Sequence, residues 1–266
     1  MKSIQEHITE LDKEGLTFLE NEYSKDECNY YIDKFSQIVE KLKSNGSNLC
    51  RDCTMIRNPY RHDIDLANLI YNANVDSILL ELIDKDYVLV NSTVINRKID
   101  HSIKKSANNM GDAWHTDSHY TMNQTRRLQK GFGYIVIILF NDFTKENGGT
   151  LYLLNSHLKK DKPEKFGEYN NLKDYPLKTI VGKAGTVAIM DSGIWHRGGD
   201  PSQEDRWSLY SYYGPWYQKP YYRFPEMLGE KFGKETNKHL RRLFHYNSTP
   251  PLADVNNEST STVKYD

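Results

Sequence analysis

The first third of the chain carries the apolar spacing of amphipathic helices. Ser24 and Glu27 have the spacing of a helix capping box, and apolar side chains then recur three and four residues apart. They are Cys28, Tyr31, Ile32, Phe35, Ile38, Val39 and Leu42. A second apolar period, over residues 66–82, predicts one or two further helices before residue 84. A short extended segment, residues 16–19, precedes the first helix, and we expect the helices to pack their apolar faces against a sheet.

From residue 87 onward the pattern becomes that of β-strands. The predicted strands cover residues 87–95, 131–140, 151–154, 179–181, 186–190 and 206–213. The run YIVIILF at 134–140 is apolar at every position, so we expect this strand to be covered on both sides. Helices that precede turn-linked strands favour a β-sandwich or barrel with helices on its outside.

The end of the chain changes from apolar to polar. Arg241 and Arg242 stand beside Leu240, Leu243 and Phe244, which predicts a last amphipathic helix. Residues 247–266 are too polar to form a core, and we expect a flexible or surface-bound tail. We therefore expect residues 1–246 to form a single domain.

Charge and composition narrow the class of partner. The 266 residues include 35 Lys and Arg against 36 Asp and Glu, which gives a formal net charge of −1. This balance gives no electrostatic reason to expect a nucleic acid or a membrane as partner, so we expect a small-molecule substrate. A charged start and the lack of an apolar run of about 20 residues predict neither secretion nor membrane insertion, and we expect a cytoplasmic protein. The pattern carries no signal of oligomeric state.

The cysteines do not indicate a disulfide framework. Cys28, Cys50 and Cys53 are the three cysteines of the chain, and they fit a reducing compartment. Cys50 and Cys53 have the spacing of half a zinc site, but a second ligand pair does not follow. We therefore interpret both as ordinary thiols.

The segment AWHTDSHY, residues 113–120, places His115, Asp117 and His119 at alternate positions. On extended backbone, side chains two residues apart point to the same side, so His115 and Asp117 can reach one metal ion. Downstream, GTVAIMDSGIWHRGGD predicts a strand, a turn and then His196. Two histidines and one carboxylate form the facial arrangement of non-haem Fe(II) sites, which leaves coordination positions open. Because short HxD patterns recur by chance, the surrounding sequence has to decide.

Arg206 supplies that context. It follows His196 and begins a predicted strand in which Arg206, Ser208, Tyr210 and Tyr212 share one face. A guanidinium and a hydroxyl behind a metal suit the far carboxylate of a dicarboxylate, which the planar fork of arginine binds in bidentate geometry. The combination favours 2-oxoglutarate as co-substrate over a surface or ion-paired arginine.

With these motifs in order, the chain resembles the Fe(II)- and 2-oxoglutarate-dependent dioxygenases related to phytanoyl-CoA hydroxylase. The likeness runs from about residue 14 to about residue 250. GLTFLENEYSKDECNYYIDKF resembles the family's opening strand and helix, and VINRKI followed by AWHTD resembles its strand leading into HxD. The family's stretch of an Asp-rich turn, Glu-Asn-Gly and Ser-His is similar to LFNDFTKENGGTLYLLNSHLK. The family's segments that carry the distal histidine and the co-substrate arginine are similar to GTVAIMDSGIWHRGGD and RWSLYSYYGPW. Where the family often has Pro-Gly-Ser-His, this chain has LNSH at residues 154–157.

The resemblance implies a fold and a ligand set. The fold is mainly β with flanking helices, around a double-stranded β-helix core of the jelly-roll, cupin-like type. His115, Asp117 and His196 would bind Fe(II), and Arg206, with Ser208 beside it, would bind the C5 carboxylate of 2-oxoglutarate.

Other polar and aromatic residues of the motifs have weaker assignments. His119 is not expected to bind the metal, because it would compete for positions that 2-oxoglutarate and O2 require. Its side chain would instead contact the substrate, contact one of the metal-binding side chains, or lie in solvent. His157 has either a functional role at the cavity mouth or a structural one. Asn96 and Tyr134 lie on strands expected to line the cavity and are expected to bind the co-substrate. Trp114 and Trp195, beside the ligands, are expected to shield the site.

The implied activity is oxidation of an unactivated C–H bond of a small-molecule metabolite, with release of succinate and CO2. Asp117 favours hydroxylation, desaturation or ring closure, because halogenating relatives have a small residue in place of this carboxylate. One alternative is a jelly-roll metal isomerase or an oxygenase that does not use 2-oxoglutarate, which Arg206 and Ser208 disfavour. Another is a non-catalytic binding protein of the same fold, which the intact ligand set disfavours. No segment identifies the substrate.

Overall fold

The computed structural model describes residues 2–44, 53–97, 114–117, 133–158, 175–199 and 205–247. In these ranges the helices are α1 (Ile4–Glu14), α2 (Lys25–Ser44), α3 (Ala73–Leu82), α4 (Phe224–Glu235) and α5 (Lys238–Leu243). The strands are β1 (Leu16–Leu19), β2 (Cys53–Arg57), β3 (Val88–Arg97), β4 (Tyr134–Leu139), β5 (Leu151–Leu153), β6 (Leu177–Thr179), β7 (Val187–Asp191), β8 (His196–Arg197) and β9 (Arg206–Gly214). Two antiparallel sheets are built from these strands.

Capping boxes define where the first two helices begin. Before α2, the Ser24 hydroxyl accepts a hydrogen bond from the Glu27 amide at 3.2 Å, and the Glu27 carboxylate accepts one from the Ser24 amide at 2.7 Å. This confirms the predicted helix start. The same arrangement joins Ser3 and Glu6 before α1, and Gly15 ends that helix with a φ of 75°. The sequence pattern did not predict α1, although its capping box and terminal glycine are signals of a helix.

The larger sheet has six strands in the order β1-β7-β4-β9-β3-β2. Its longest ladder joins β3 to β9, from Val88 opposite Gly214 to Arg97 opposite Arg206. β4 lies between β7 and β9, so it is a central strand of this sheet. The edge strand β2, which the pattern did not predict, pairs with β3 alone among the described strands.

Strand β4 shows that the larger sheet is covered on both faces. Val136 and Ile138 pack into the cluster that contains the apolar residues of the helices, and we call this side of the sheet the helix face. Ile135, Ile137 and Leu139 pack into a second cluster, which includes a residue of the smaller sheet, and we call this side the interior face. All five side chains are buried. The expectation that this strand is covered on both sides is confirmed.

The smaller sheet has three strands in the order β6-β5-β8. In it Tyr152 of β5 lies opposite His196 of β8, which places the distal histidine on this sheet. The hydroxyls of Thr150 and Tyr210 lie 2.7 Å apart and link the two sheets. Two antiparallel sheets around a common core, with helices on the outer side, agree with the expected jelly-roll fold.

Several element boundaries differ from the prediction. The strand expected at 179–181 is Leu177–Thr179, because β6 pairs with β5 only over these residues, and Val181 is 48% exposed. Helix α4 was not predicted. The second apolar period is a 3₁₀ turn, Ile64–Ile70, followed by α3, and the last predicted helix is α5.

Other expectations concern thiols, the membrane and the tail. The Cys28 thiol is buried, and burial raises its pKa to about 11, which is the property of an inert thiol. Cys50 and the side chain of Cys53 lie outside the described residues, as does the predicted tail beyond Asn247. Among the described helices, none combines the length and the apolar character needed to span a bilayer.

Candidate metal centre

His115 and His196 are brought together by backbone pairing. The amide of His115 donates to the carbonyl oxygen of His196 at 3.0 Å, and the amide of His196 donates to the carbonyl oxygen of His115 at 2.9 Å. Their ring centroids lie 4.3 Å apart. The amide of Asp117 donates to the carbonyl oxygen of Ser192 at 3.1 Å, which attaches the HxD segment to the turn before His196. The three side chains are therefore positioned by main-chain hydrogen bonds.

The ligand atoms of these three side chains converge. Nε2 of His115 lies 3.9 Å from Oδ1 of Asp117, and Nε2 of His196 lies 3.6 Å from Oδ2 of the same carboxylate. One ligand atom from each residue can be chosen so that all three lie within 4.8 Å of one another. These separations are close to those of three ligands that each lie about 2 Å from one metal ion. The donor set of two imidazoles and one carboxylate is that of non-haem Fe(II) sites.

His196 is held in the orientation that a ligand needs. Its Nδ1 lies 3.0 Å from the carbonyl oxygen of Ile194, which can only accept a hydrogen bond, so Nδ1 carries the proton and Nε2 presents its lone pair. The side chain of His196 is 7% exposed, whereas that of Asp117 is 36% exposed. The centre is therefore closed at His196 and opens on the side of Asp117.

A tight turn and an apolar cluster support His196. The Asp191 carboxylate accepts a hydrogen bond from the Gly193 amide at 2.7 Å, which shapes the turn between β7 and β8. Trp114 and Trp195 are buried in a cluster with Leu153 and Tyr175. The two tryptophans that were expected to shield the site thus lie together in one apolar cluster.

Arg206 is 1% exposed and is fixed on several sides. Its Nε donates to the carbonyl oxygen of Gly148 at 2.9 Å, and its Nη2 donates to the same oxygen. Its Nη1 lies 3.5 Å from the Ser208 hydroxyl, and its guanidinium carbon lies 4.1 Å from the centroid of the Phe143 ring. Phe143 belongs to the cluster on the interior face, so Arg206 lies between the two sheets.

The interior face of β9 also reaches the metal centre. Tyr212, on the same face as Arg206, packs into the interior cluster. Burial raises the pKa of Tyr212 and the Asp117 carboxylate raises it further, although hydrogen bonds with Gln218 and Ser192 oppose the rise. Tyr212 is therefore a neutral phenol that is hydrogen-bonded to Ser192, in the turn that also holds the Asp117 amide. The same face of β9 carries Arg206 at the start of the strand.

Residues 11–206, more than half of the chain, match the phytanoyl-CoA dioxygenase (PhyH) family. The chain belongs to this family. The matched range includes the HxD segment and His196 and ends at Arg206. The resemblance drawn from the sequence motifs is thus confirmed.

Solved structures share the fold of this PhyH-family chain at low sequence identity. The epimerase SnoN, solved with Fe3+, alpha ketoglutarate and nogalamycin RO, has 13% identity and a TM-score of 0.62 over 80% of this chain and 83% of its own. The carbocyclase SnoK from nogalamycin biosynthesis has 14% identity and a TM-score of 0.60, over 79% and 83%. AviO1 from Streptomyces viridochromogenes Tue57 has 14% identity and a TM-score of 0.59, over 83% and 98%. No curated protein matches the chain in sequence. The jelly-roll expectation is confirmed.

The register of the larger sheet corrects two of the expected co-substrate residues. Asn96 lies opposite Trp207, and Tyr134 lies opposite Tyr213. Directly opposite residues share a face, and both partners belong to the cluster on the helix face. The expectation that Asn96 and Tyr134 bind the co-substrate is therefore wrong, because both residues lie on the face of the sheet opposite to Arg206.

Of the two further histidines in the motifs, the structure describes only His157. His119 lies outside the described residues. His157 is buried against the end of α1, where its Nε2 lies 3.4 Å from the carbonyl oxygen of Asp12. A Cβ atom added to Gly15 would lie 2.7 Å from Nδ1 of His157. The structure therefore favours the structural role of His157, which is to support the N-terminal helix.

Sequence reasoning missed Arg97, which is 5% exposed and lies directly opposite Arg206. A Cβ atom on Gly198 would overlap the Arg97 guanidinium, so this side chain crosses toward the strand that carries His196. In the sequence, Arg97 is only a basic residue near the end of a predicted strand. Its position opposite Arg206 follows from the pairing of β3 with β9, which are far apart in the chain.

Proposed function

We propose that this protein is a non-haem Fe(II)- and 2-oxoglutarate-dependent dioxygenase of the PhyH family. It hydroxylates, or otherwise oxidises, an unactivated C–H bond of a small-molecule metabolite and releases succinate and CO2. His115, Asp117 and His196 hold the iron, and Arg206 and Ser208 bind the C5 carboxylate of 2-oxoglutarate.

The observation that carries the proposal is the joint placement of the two parts of the site. Three candidate ligand atoms converge within 4.8 Å, and a 1% exposed arginine lies on the interior face of β9. Tyr212 on the same face is hydrogen-bonded to Ser192, whose carbonyl oxygen accepts a hydrogen bond from the Asp117 amide. The hydrogen bonds to Gly148 and Ser208 hold the planar Arg206 guanidinium in place on this face, and a planar guanidinium suits the bidentate binding of a carboxylate. This combination supports a 2-oxoglutarate enzyme over a bare metal-binding jelly roll.

The protein's own groups orient the reactants. The Ile194 carbonyl oxygen fixes the tautomer of His196, while Gly148 fixes the angle of the Arg206 guanidinium. When bound, Fe(II) and 2-oxoglutarate supply the chemistry that activates O2 for C–H oxidation. Trp114 and Trp195 restrict water beside the ligands, and the more exposed side at Asp117 is where a substrate can approach.

The proposal also concerns the reaction that the oxidised substrate undergoes. Asp117 occupies the carboxylate position of the ligand set, so hydroxylation, desaturation or ring closure is favoured over halogenation. The structural neighbours include an epimerase and a carbocyclase, which extends the range of outcomes to stereochemical inversion and ring formation. A screen of small metabolites for substrate-stimulated succinate release, followed by mass analysis of the product, separates these outcomes.

The co-substrate site is tested by anaerobic titration of the Fe(II) protein with 2-oxoglutarate, followed by the weak visible charge-transfer band of the chelate. Arg206→Ala should weaken binding by about 2 to 5 kcal/mol, which is about one and a half to more than three factors of ten in affinity. Arg206→Lys should restore only part of it, because an ammonium lacks the planar fork. Arg223→Ala is a matched control, since the Arg223 side chain is 85% exposed. A wild-type protein without the band, or an Arg206→Ala variant that titrates like wild type, contradicts the proposal.

A further inference from the structure

We infer that the side-chain amides of Asn91 and Gln218 bind a hydroxyl or amino group of the substrate beside the metal centre. The inference rests on the proposed function, because it assigns substrate-binding residues to the same active site. The substrate class that follows is a small molecule that donates a hydrogen bond from a group near the oxidised C–H bond.

Both residues neighbour Tyr212 on the interior face of the larger sheet. Asn91 of β3 is the Cα partner of Tyr212 of β9, and directly opposite residues point to the same face. Nε2 of Gln218 donates to the hydroxyl oxygen of Tyr212 at 3.2 Å. A Cβ atom added to Gly214, two residues after Tyr212, would overlap Oε1 of Gln218, so this amide lies on the interior side at the end of β9. The two side chains therefore neighbour the same phenol.

Tyr212 places these amides next to the open side of the metal centre. Its phenol is hydrogen-bonded to Ser192, whose carbonyl oxygen accepts a hydrogen bond from the Asp117 amide at 3.1 Å. Burial raises the pKa of Tyr212 and the Asp117 carboxylate raises it further, which requires that carboxylate to lie near the phenol. The centre opens on the side of Asp117, whose side chain is 36% exposed. A substrate that enters there meets Tyr212 and its two amide neighbours.

The chain after β9 returns to the same place. The amide of Tyr221 donates to the carbonyl oxygen of Val90 at 3.0 Å, and Val90 directly precedes Asn91. Tyr221 is 51% exposed, and its phenol adds to the rise in the pKa of Tyr212. Residues 215–222 thus run beside the opening, and Gln218 is one of them.

The amide oxygens of both residues are available as hydrogen-bond acceptors. Oδ1 of Asn91 and Oε1 of Gln218 are buried, and neither accepts a hydrogen bond from any group in the part of the chain that the structure describes. A buried acceptor without a protein partner costs stability, so these oxygens do not serve the fold. Each side chain is only partly buried, and the last torsion of an amide side chain turns easily. An O–H or N–H group of a substrate can therefore bind these oxygens in place of water.

The test uses pairs of metabolite-sized compounds as probes. One member of each pair is an alcohol or a primary amine, and the other is its O-methyl ether or its trimethylammonium derivative, which lacks the donor. Binding to the Fe(II) protein with 2-oxoglutarate is measured anaerobically from the change in the chelate band. Gln218→Met and Asn91→Leu remove the amide at similar volume, and Gln5→Met, at an exposed position of α1, is the control.

In wild type, donor-bearing probes should bind more tightly than their capped partners. Gln218→Met and Asn91→Leu should each weaken binding of the donor-bearing probe by about fivefold to a hundredfold, because its donor loses its partner in a desolvated site. Binding of the capped probe should change by no more than about twofold. The affinity for 2-oxoglutarate should also stay within about twofold, since Arg206 lies at the opposite end of β9.

A second pair of variants keeps the acceptors. Gln218→Glu and Asn91→Asp retain side-chain oxygens that accept hydrogen bonds, so both should keep the preference for donor-bearing probes. They test the same role if an apolar variant does not fold, which thermal unfolding shows. Loss of the preference in both of these variants would contradict a role as acceptors.

Unchanged binding of donor-bearing probes in Gln218→Met and Asn91→Leu would overturn the inference. Equal weakening of both members of a pair would do so as well, because it would show a loss of shape and not of an acceptor. A wild-type protein that binds no donor-bearing probe, or binds the capped probes equally well, removes the role of Asn91 and Gln218 while the chelate band keeps the proposed function. If no chelate band forms with 2-oxoglutarate, the proposed function itself fails, and this inference fails with it.

Discussion

Nε2 of His196 lies 3.6 Å from Oδ2 of Asp117, and the hydrogen bond from Nδ1 of His196 to the Ile194 carbonyl oxygen holds it in that direction. Both contacts are made by the protein alone. The ligand set is therefore arranged by β8, the preceding turn and the HxD segment, and the buried clusters that hold these elements are apolar. Metal binding and folding should be separable in this protein.

The first prediction follows from that separation. Replacing His115, Asp117 or His196 with Ala should abolish turnover and weaken Fe(II) binding, because outer contacts cannot replace a lost ligand. Asp117→Ala should lower the free energy of unfolding by less than about 1 kcal/mol, which corresponds to a fall in the thermal midpoint of less than about 2–4 °C. Metal titration and thermal unfolding measure both effects. His62→Ala, which alters a histidine outside the ligand set, is the control, and near-normal activity in any ligand variant would falsify the assignment.

A second prediction concerns the two faces of β4. Ile137 packs on the interior face and Ile138 on the helix face, and both are buried. Ile137→Ala and Ile138→Ala should each lower the free energy of unfolding by about 2–5 kcal/mol, since each leaves a cavity in a packed cluster. Ile64, which is 45% exposed, provides the control, and Ile64→Ala should cost much less. Denaturant unfolding measures the three values. A small loss at either β4 position would mean that only one face of this strand is packed.

A third prediction concerns Gly198. A Cβ atom at this position would overlap the Arg97 guanidinium, so Gly198→Ala should lower the free energy of unfolding by about 1–3 kcal/mol through overpacking. At Gly182 the nearest atom to an added Cβ, in the side chain of Leu139, is 3.2 Å away, so Gly182→Ala is a control with a smaller expected cost. The double variant Gly198→Ala with Arg97→Ala should lose less than the sum of the single losses, because the overlap is removed. Additive losses would show that Arg97 does not occupy the space beside Gly198.

A fourth prediction concerns the pH dependence of stability. Burial lowers the pKa of His245, although a hydrogen bond to the Leu89 carbonyl oxygen partly opposes this. As the pH falls below about 6.5, the unfolded chain binds a proton at this histidine before the folded chain does. The contribution of His245 is therefore complete above about pH 6.5 and is lost as the pH falls toward the folded-state pKa.

His245→Asn tests this dependence. The φ of His245 is +64°, a conformation that Asn tolerates better than most residues. Between pH 7.5 and 5.5, wild type should lose up to about 1.4 kcal/mol more per pH unit than the variant, as measured by denaturant unfolding at each pH. The same pH slope in both proteins would show that His245 does not contribute to acid destabilisation.

Local patterns in the sequence were sufficient for several elements. The capping box of Ser24 and Glu27 marks the start of α2, and the apolar run at 134–140 indicates a strand covered on both faces. The candidate ligand set could also be proposed from the sequence, because HxD on extended backbone and a distal histidine after a strand and turn form a recognisable order. These features depend on residues close to one another in the chain, or on the chemistry of ligands that bind a single metal.

Side-chain direction within the larger sheet was decided only by the tertiary structure. A strand that is apolar on both faces has no alternation that assigns Tyr134 to one side, and the bulge between Leu89 and Asn91 changes the alternation that leads to Asn96. The pairing of Arg97 with Arg206 joins strands that are far apart in the sequence. Register depends on how the whole sheet assembles, so the faces of Asn96 and Tyr134 and the pairing of the two arginines are properties of the folded chain. The three candidate ligands, by contrast, could be proposed from their residue types and order, and the structure brings them together.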